Sequence, residues 1–410
     1  MKKLYKNALI DEKHQNLLVE NGYISYVGED APQADKVVDL GGKILIPAMI
    51  DPHVHVRDLR QTEKEDWTSA SRAARKGGVA MIFDMPNNKP PTINLPNLNL
   101  KREVAKKSLV RYKFNIGITG YNLQSVREIL QENPSDVAAL KLFLAGSSNN
   151  EYVENTDDIK RIFDLSREYD LPVIIHTELQ KCIEKYASQV ANPTIFEHNF
   201  IRNRECAVRG TEWVIDLAKE TGNAVYIAHT STAEEIELIR RNKDKARIYC
   251  EITPHHLLLN ESVLASAGNF AKVNPPIRTE ADNRALWQGI ADGTVDVIGT
   301  DHAPHTLAEK SRDYALAPSG FPGLETALPL LLNEVRKGNL TLNRLVELTS
   351  TRAAEIFKIP DMGKIATSYR ADLVVFDWNK TGVVRAKEFE TKAKYSPFEG
   401  MEIIKITQLY

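Results

Sequence analysis

Eight short apolar segments, each followed by a stretch with helical periodicity, limit the folds open to this chain. They lie at residues 44–56, 79–85, 111–118, 137–144, 172–175, 224–228, 247–252 and 295–299. Strands that are apolar almost throughout are typical of parallel sheets buried on both faces. Eight such βα units are what a (β/α)8 barrel needs, and no glycine-rich dinucleotide fingerprint supports the alternative, a doubly wound open sheet. We therefore predict an α/β protein with a (β/α)8 TIM-type barrel.

The two ends of the chain have a different pattern, in which short apolar runs alternate with turn signals. Glycines separate such runs within residues 1–50, and similar runs recur at 371–377 and 394–406. Short strands bounded by glycine indicate a β layer. We predict a small β-sandwich domain formed by residues 1–48 and 363–410, with the catalytic barrel at 49–362.

Composition excludes several classes of protein. The 410 residues carry a formal net charge of −2 and are 42% hydrophobic, as in ordinary globular proteins. No basic cluster with exposed aromatics predicts binding to nucleic acid, and no apolar run of about 18 residues predicts a membrane span. Charged residues interrupt the apolar stretch that a signal peptide would need after Met1, so we expect a cytoplasmic protein.

The cysteines are few and widely spaced. Cys182, Cys206 and Cys250 form no CxxC pair, which argues against a disulfide framework and against a thiolate zinc site. We expect structural thiols, with Cys250 inside a strand.

Polar side chains occupy the places where barrel strands carry their chemistry, at or near the carboxyl ends. An HxH pair ends the first segment, a lysine stands within the fourth, single histidines directly follow the fifth and sixth, and an aspartate follows the eighth. The set is His53, His55, Lys141, His176, His229 and Asp301. Taken singly, the histidines would more often be hydrogen-bonded core residues and the aspartate a helix cap. Four imidazoles and one carboxylate exceed one tetrahedral zinc site and suit two ions about 3.5 to 4 Å apart.

Several motifs resemble those of the cyclic amidohydrolases and, within them, the dihydroorotases. The resemblance covers nearly the whole chain and is most specific at 272–278 and 300–305. The motifs are DPHVHVR at 51–57, MPN at 85–87, KLFL at 141–144, KVNPPIR at 272–278, TDHAPH at 300–305 and GLETA at 323–327. The chain departs from the family after Arg57, where Asp58, Leu59 and Arg60 replace a common Glu-Pro-Gly.

The resemblance implies a ligand set and a substrate set. His53, His55 and Asp301 would hold one Zn²⁺ or other divalent metal, and His176 and His229 the second. Some dihydroorotases have an aspartate at the bridging position; here Lys141, carbamylated by CO2, would bridge the metals. The implied substrate-binding residues are His55, Arg57, Asn87, Asn274, His305, Ser319 and Gly320. Among these, Arg57, Asn87 and His305 would hold a carboxylate, and Asn274 with the backbone at 319 and 320 would meet the ring amide.

The implied activity is reversible hydrolysis of (S)-dihydroorotate to N-carbamoyl-L-aspartate in de novo pyrimidine (UMP) biosynthesis, with Asp301 as the catalytic proton acceptor. One alternative is a hydantoinase, dihydropyrimidinase or allantoinase, which should lack the carboxylate-holding set. Others are an inactive scaffold for aspartate transcarbamoylase and a metal-binding module without catalysis. The resemblance also implies a homodimer and an association with aspartate transcarbamoylase.

The remaining histidines have less definite roles. We expect His302 either to orient the preceding aspartate or to pack, and His255 and His256 to act as donors behind the metal ligands. His14 and His198 lie among polar residues, so we expect both to be exposed.

Overall fold

The structure is a computed structural model that describes residues 1–146 and 151–409. Its strands are β1 Lys2–Ile10, β2 Lys13–Glu20, β3 Tyr23–Gly28, β4 Lys36–Asp39, β5 Ile44–Pro47, β6 Met49–Val54, β7 Val79–Asp84, β8 Arg111–Gly117, β9 Val137–Phe143, β10 Val173–His176, β11 Val225–Ile227, β12 Ile248–Ile252, β13 Val297–Ile298, β14 Leu373–Val383 and β15 Glu402–Leu409. Its α-helices are α1 Trp67–Lys76, α2 Leu95–Ala105, α3 Leu123–Gln131, α4 Thr156–Glu168, α5 Gln180–Ala187, α6 His198–Ile201, α7 Arg204–Thr221, α8 Ala233–Arg240, α9 Pro254–Leu258, α10 Leu264–Ala267, α11 Glu280–Ala291, α12 Leu307–Lys310, α13 Ala327–Arg336, α14 Leu342–Val346 and α15 Arg352–Ile356.

Strands β6 to β13 form the predicted barrel. They are parallel and lie side by side in chain order. The barrel closes between the end of β6 and the segment after β13, where Val54 forms a bridge with His302. The backbone N–H of His55 donates to the carbonyl of His302 at 2.7 Å across the same seam. The (β/α)8 prediction is therefore confirmed.

The first apolar segment, which we predicted as one barrel strand, is two strands in different sheets. β5 pairs antiparallel with β14 in the terminal sheet, whereas β6 pairs parallel with β7 in the barrel. Between them, Ala48 donates its N–H to the carbonyl of Asp372 at 2.9 Å, so the chain leaves one sheet directly for the other. Both strands are buried throughout, and hydrophobicity alone therefore does not mark the division.

Both termini contribute to one further sheet, as the sequence predicts. Its strand order is β15-β14-β5-β1-β2-β3, with β4 paired to β1. One face covers a small core that includes Tyr5, Leu17 and Leu373. Residues of its other face, such as Val374 and Phe376, belong to the same hydrophobic cluster as the barrel. The sheet is thus packed directly onto the barrel.

The expectation of three free thiols is wrong. Cys182 of α5 and Cys206 of α7 form a disulfide with their Cα atoms 5.3 Å apart, and only Cys250 is a buried free thiol, in β12. The two paired cysteines are 24 residues apart, and their contact arises from packing of α5 against α7, which spacing does not reveal. Across the described residues, the helices are too short or too polar to cross a membrane.

Candidate metal centre and substrate cavity

The six predicted ligand residues converge on one cavity at the carboxyl ends of the barrel strands. They come from β6, β9 and β10 and from the residues that follow β6, β11 and β13, and all are buried. We call this space the site cavity; it is lined by His53, His55, Arg57, Asn87, Lys141, Phe143, His176, His229, Val273, Asn274, Asp301, Ala303, Ser319 and Gly320. Of the predicted site residues, His305 alone is not in this lining, and it lies directly behind Arg57.

One side of the site cavity holds a group of metal-ligand type. The Nε2 atoms of His53 and His55 lie 3.3 and 3.1 Å from the same Oδ1 of Asp301. Donor atoms of the three residues all lie within 4.8 Å of one another. Burial lowers the pKa of His55 to about 4, which keeps a lone pair available. Burial opposes ionisation of Asp301, but the imidazoles of His53 and His55 outweigh it and lower the pKa of that carboxyl. Two imidazoles and one carboxylate fit a divalent metal.

The second pair of histidines faces this group. Nδ1 of His176 lies 3.0 Å from Nε2 of His229, and burial lowers the pKa of both residues. The Nε2 atom of His176 lies 3.1 Å from a carboxylate oxygen of Glu178. Since neutral imidazole carries one N–H, donation to Glu178 leaves Nδ1 as the coordinating atom of His176. The pair therefore offers two nitrogen donors for a second cation.

Lys141 is buried in the site cavity without a hydrogen-bond acceptor. Its side chain is 1% exposed, and no hydrogen-bond partner of Nζ occurs among the described residues. Burial lowers the pKa of this amine to about 8, although Glu251 and Asp301 oppose the effect. An unpaired buried ammonium costs free energy, whereas a neutral amine can react with CO2 and become an anion. The environment of Lys141 therefore fits a carbamate between the two sets of ligands.

A strained turn directs Arg57 into the site cavity. Arg57, Asp58 and Leu59 have φ values of 67°, 41° and 52° in succession, a left-handed conformation that is costly for residues with side chains. Asp58 stabilises the turn by accepting the N–H of Trp67 at 3.1 Å, and Asn88 donates to the carbonyl of Arg57 at 2.7 Å. The guanidinium is buried, and its Nη1 has no partner among the described side chains and backbone groups. It is thus placed to bind an anion.

His305 and Lys64 extend this positive region. Nζ of Lys64 lies 3.2 Å from Nδ1 of His305, while Nε2 of His305 lies 3.0 Å from the carbonyl of Ser319 and 3.1 Å from Nη2 of Arg57. Lys64 can only donate to Nδ1 and the carbonyl of Ser319 can only accept from Nε2, which together place the ring proton on Nε2. Nη2 of Arg57, which is also only a donor, then finds no acceptor in this ring. Burial, followed by the charges of Arg57 and Lys64, lowers the pKa of His305 and keeps it neutral. His305 therefore presents an N–H next to the guanidinium.

The predicted ring-binding residues come from two segments that are hydrogen-bonded to each other. Ser319 donates its hydroxyl to Oδ1 of Asn274 at 3.0 Å. Gly320 donates its N–H to the carbonyl of Lys272 at 2.8 Å and accepts from Nζ of Lys310 at 2.9 Å. Its φ of 118° and the 2.7 Å that would separate a Cβ from Ala303 require glycine here. Both polar backbone groups of Gly320 are engaged within the protein.

His302, His255 and His256 do not line the site cavity. Two of them hydrogen-bond to backbone groups of neighbouring segments. His302 accepts the N–H of Gly323 through Nδ1 at 3.1 Å, and Nε2 of His256 lies 3.0 Å from the carbonyl of Pro275. His255 is buried beside His256. Of the two histidines expected to be exposed, His14 is exposed.

The expectation for His198 is wrong. Its ring is buried, with Nδ1 2.8 Å from the hydroxyl of Tyr314 and Nε2 2.9 Å from the carbonyl of Val273. Both partners are distant in sequence, and the polar residues next to His198 in the chain therefore misrepresent its environment.

Sequence reasoning did not identify two buried carboxylates that contact the predicted ligands, Glu178 and Glu251. Each is 0% exposed and accepts from a histidine of the set, His176 or His53. The signal for Glu251 was an acidic residue inside an otherwise apolar strand segment, and that for Glu178 its position two residues after His176.

Comparisons with known proteins agree with this geometry. Residues 44–402 match the model of the amidohydrolase family. The chain is 36% identical to the dihydroorotase of Methanosphaera stadtmanae, covering 96% of this chain and 91% of that one. It is 34% identical to the dihydroorotase of Methanosarcina mazei, covering 98% and 89%.

Solved structures resemble the whole fold. An L-hydantoinase (dihydropyrimidinase) from Arthrobacter aurescens superposes with a TM-score of 0.94 at 27% identity, over 99% of this chain and 93% of that one. A dihydropyrimidinase from Brevibacillus agri has a TM-score of 0.90 at 24% identity, over 100% and 93%, and supports the fold alone. The family match over most of the sequence and the full-length relatives establish that the chain belongs to the amidohydrolase family.

Proposed function

We propose that this enzyme is a hydrolase of cyclic amide C–N bonds that interconverts (S)-dihydroorotate and N-carbamoyl-L-aspartate, a step of UMP synthesis. The observation that carries the proposal is the buried Arg57, which lines the same cavity as the His53, His55 and Asp301 group and whose Nη1 has no partner among the described residues. A buried guanidinium requires an anionic partner, and a planar carboxylate matches its paired donors. The full-length dihydroorotase relatives support the same substrate.

Two Zn²⁺ ions, or other divalent metals, fit the donor set. His53, His55 and Asp301 would hold one ion and His176 and His229 the other, with the carbamate of Lys141 as the shared anion. Support comes from the five nitrogen and oxygen donors on one rim and from the buried amine of Lys141, which lines the same cavity and has no hydrogen-bond partner among the described residues. Bound metals supply Lewis acidity at the ring carbonyl and a nucleophilic hydroxide near neutral pH.

The protein residues position the ring and move the proton. Arg57, His305 and Asn87 hold the substrate carboxylate, which turns the scissile amide toward Asp301. The carboxylate of Asp301 accepts a proton as water attacks the carbonyl carbon, and it returns that proton to the departing ring nitrogen as the C–N bond breaks. In the synthetic direction the same groups act in reverse. Homodimer formation and association with aspartate transcarbamoylase stay predictions from the family resemblance.

A neutral cyclic amide is the second candidate substrate, favoured by the hydantoinase structure that matches the fold. Such a ring leaves Arg57 without a counterion, at a cost that a carboxylate substrate removes. The two candidate substrates therefore differ in whether they carry a carboxylate that can pair with Arg57.

Replacing Arg57 with methionine tests this choice. We expect kcat/KM for dihydroorotate to fall by about 10²-fold, because a charge-assisted bidentate contact is worth about 3 kcal/mol. Turnover of dihydrouracil, which lacks the carboxylate, should not fall. The measurement is steady-state hydrolysis of dihydroorotate, dihydrouracil, hydantoin and allantoin by the zinc-loaded wild type and variant. Preference of the wild type for a neutral ring would refute the proposed substrate.

Lys64 offers a second, smaller test of the same region. Lys64→Met removes the donor to Nδ1 of His305 and a positive charge beside Arg57, and it leaves the carbonyl of Ser319 as the acceptor that orients the ring. We expect KM for dihydroorotate to rise by about tenfold with little change in kcat, since one charged hydrogen bond contributes about 1.5 kcal/mol. Lys64→Arg, which keeps the donor and the contact with Glu309, should restore KM. A raised KM for dihydrouracil as well would assign Lys64 a structural role instead.

A further inference from the structure

Glu251, the fourth residue of β12, contacts one residue from each half of the candidate metal centre. Its Oε1 lies 2.7 Å from Nδ1 of His53 and also accepts the backbone N–H of His229 at 2.9 Å. Oε2 accepts the hydroxyl of Tyr226 at 2.8 Å. One fully buried carboxylate thus contacts residues from β6, from β11 and from the segment after β11.

The contact with His53 determines which nitrogen of that ring faces the site cavity. A carboxylate accepts, so Nδ1 of His53 carries the ring proton and Nε2 keeps its lone pair. Nε2 is the atom that lies 3.3 Å from Asp301 in the first group of ligands. A carboxylate behind a ligating histidine fixes ring orientation and makes the opposite nitrogen a stronger donor.

The contact with His229 stabilises an unfavourable backbone conformation. His229 has a φ of 38°, which is costly for a residue with a Cβ, and its N–H donates to Glu251. In this conformation Nε2 of His229 faces Nδ1 of His176 at 3.0 Å. The same carboxylate oxygen therefore orients one ligand of each half.

Gly299 provides the space for this carboxylate. A Cβ at residue 299 would lie 2.7 Å from Oε2 of Glu251 and 3.2 Å from the Cβ of His53. The backbone of Gly299 is not in the left-handed region, so alanine is compatible with its conformation. The absent side chain, rather than backbone freedom, is what the position requires.

We propose that Glu251 is a positioning residue that couples the two metal sites, and that Gly299 leaves the space that the Glu251 carboxylate occupies. The inference rests on the two-metal centre of the proposed function. It assigns Glu251 no contact with substrate and no part in proton transfer.

Gly299→Ala tests the proposal while every ligand and Glu251 stay in the sequence. Because its methyl would also lie 3.2 Å from the Cβ of His53, a loss of affinity at the His176 and His229 site is the effect that reports on Glu251. The added methyl should displace the carboxylate, and we expect zinc affinity to fall by about 10- to 100-fold at both sites, the range for lost support behind a ligand. Glu251→Gln keeps an oxygen for His53 and His229 but loses the charge, so its loss should be the smaller one. The readout is calorimetric titration of the metal-free protein with zinc, with the melting temperature of that metal-free protein as a check on folding.

Two controls separate coupling from packing and from support of one site. Gly289→Ala introduces the same methyl into a buried glycine of α11, where the nearest atoms are Val295 and Ile236 side chains, and should leave zinc binding unchanged. Glu178→Gln touches His176 alone among the ligands and should weaken one site. The proposal is overturned if Gly299→Ala binds zinc as the wild type does or loses only one site. A wild type that binds two ions but opens only neutral rings would refute the proposed substrate and leave this result standing.

Discussion

Lys141→Ala is expected to lower kcat for dihydroorotate by about 10³-fold and to reduce the zinc content of the purified enzyme. Metal assistance is worth several kcal/mol, and each 1.4 kcal/mol is a factor of ten in rate. Without the anion at this position, two cations held by His53, His55, His176, His229 and Asp301 would repel each other at short range. The steady-state rate and the metal content of the same preparation together measure the effect.

The carbamate itself can be observed. Wild type prepared in ¹³C-bicarbonate should show a carbamate carbonyl signal by NMR, and Lys141→Ala should lose it. Lys101 is the matched control, since it is equally buried but donates to the carbonyl of Met85 at 2.9 Å and pairs with Asp84 at 2.8 Å. The signal should therefore survive Lys101→Met. Added acetate or propionate should restore part of the activity of Lys141→Ala, because a carboxylate occupies the vacated space and supplies the missing charge. A wild type without the signal but with full activity would contradict the bridging role.

The predicted ligands could be located from sequence because each stands at a position that topology determines. A barrel places the carboxyl ends of its strands on one rim, so His176 and His229 meet although 53 residues separate them. The apolar segments also indicate the strand order, since each strand neighbours the next in chain order. Nothing beyond periodicity and strand ends is needed for this part of the site.

Contacts that depend on side-chain packing could not be predicted from the sequence. Glu251 contacts His53 from a position 198 residues away in the chain, and Lys64 contacts His305 from a position 241 residues away. The disulfide between Cys182 and Cys206 depends on how two helices pack, and the burial of His198 depends on Tyr314 in a distant segment. In each case the residue type is visible in the sequence, but its partner is fixed only by tertiary structure.

The backbone conformation of three site residues could not be predicted from the sequence either. Arg57, His229 and Asp301 all have positive φ values, although none of them is glycine. Residue type argues against such angles, and the surrounding contacts must offset the cost. Sequence rules fail at these residues because the site, rather than local preference, dictates their conformation.

Asp301→Asn is expected to lower kcat by about 10²- to 10⁴-fold, the range for loss of a general acid–base group. Asparagine keeps an oxygen at the Oδ1 position, where Nε2 atoms of His53 and His55 lie 3.3 and 3.1 Å away, but it cannot accept and return a proton. The effect should be equal for dihydroorotate and for any neutral ring that the enzyme opens slowly, because proton transfer concerns the amide that both share. This separates Asp301 from Arg57, whose loss should affect the acidic substrate alone.

Metal content decides how the Asp301 result is interpreted. The variant should be assayed at a zinc concentration that fills both sites, verified by titration, so that a weakened ligand is not mistaken for a lost proton acceptor. A fully loaded Asp301→Asn enzyme that retains activity within about tenfold of the wild type would refute the proton-transfer role, since acid–base catalysis contributes more than that. Proton transfer would then have to pass through a group other than the carboxylate that closes the His53 and His55 set.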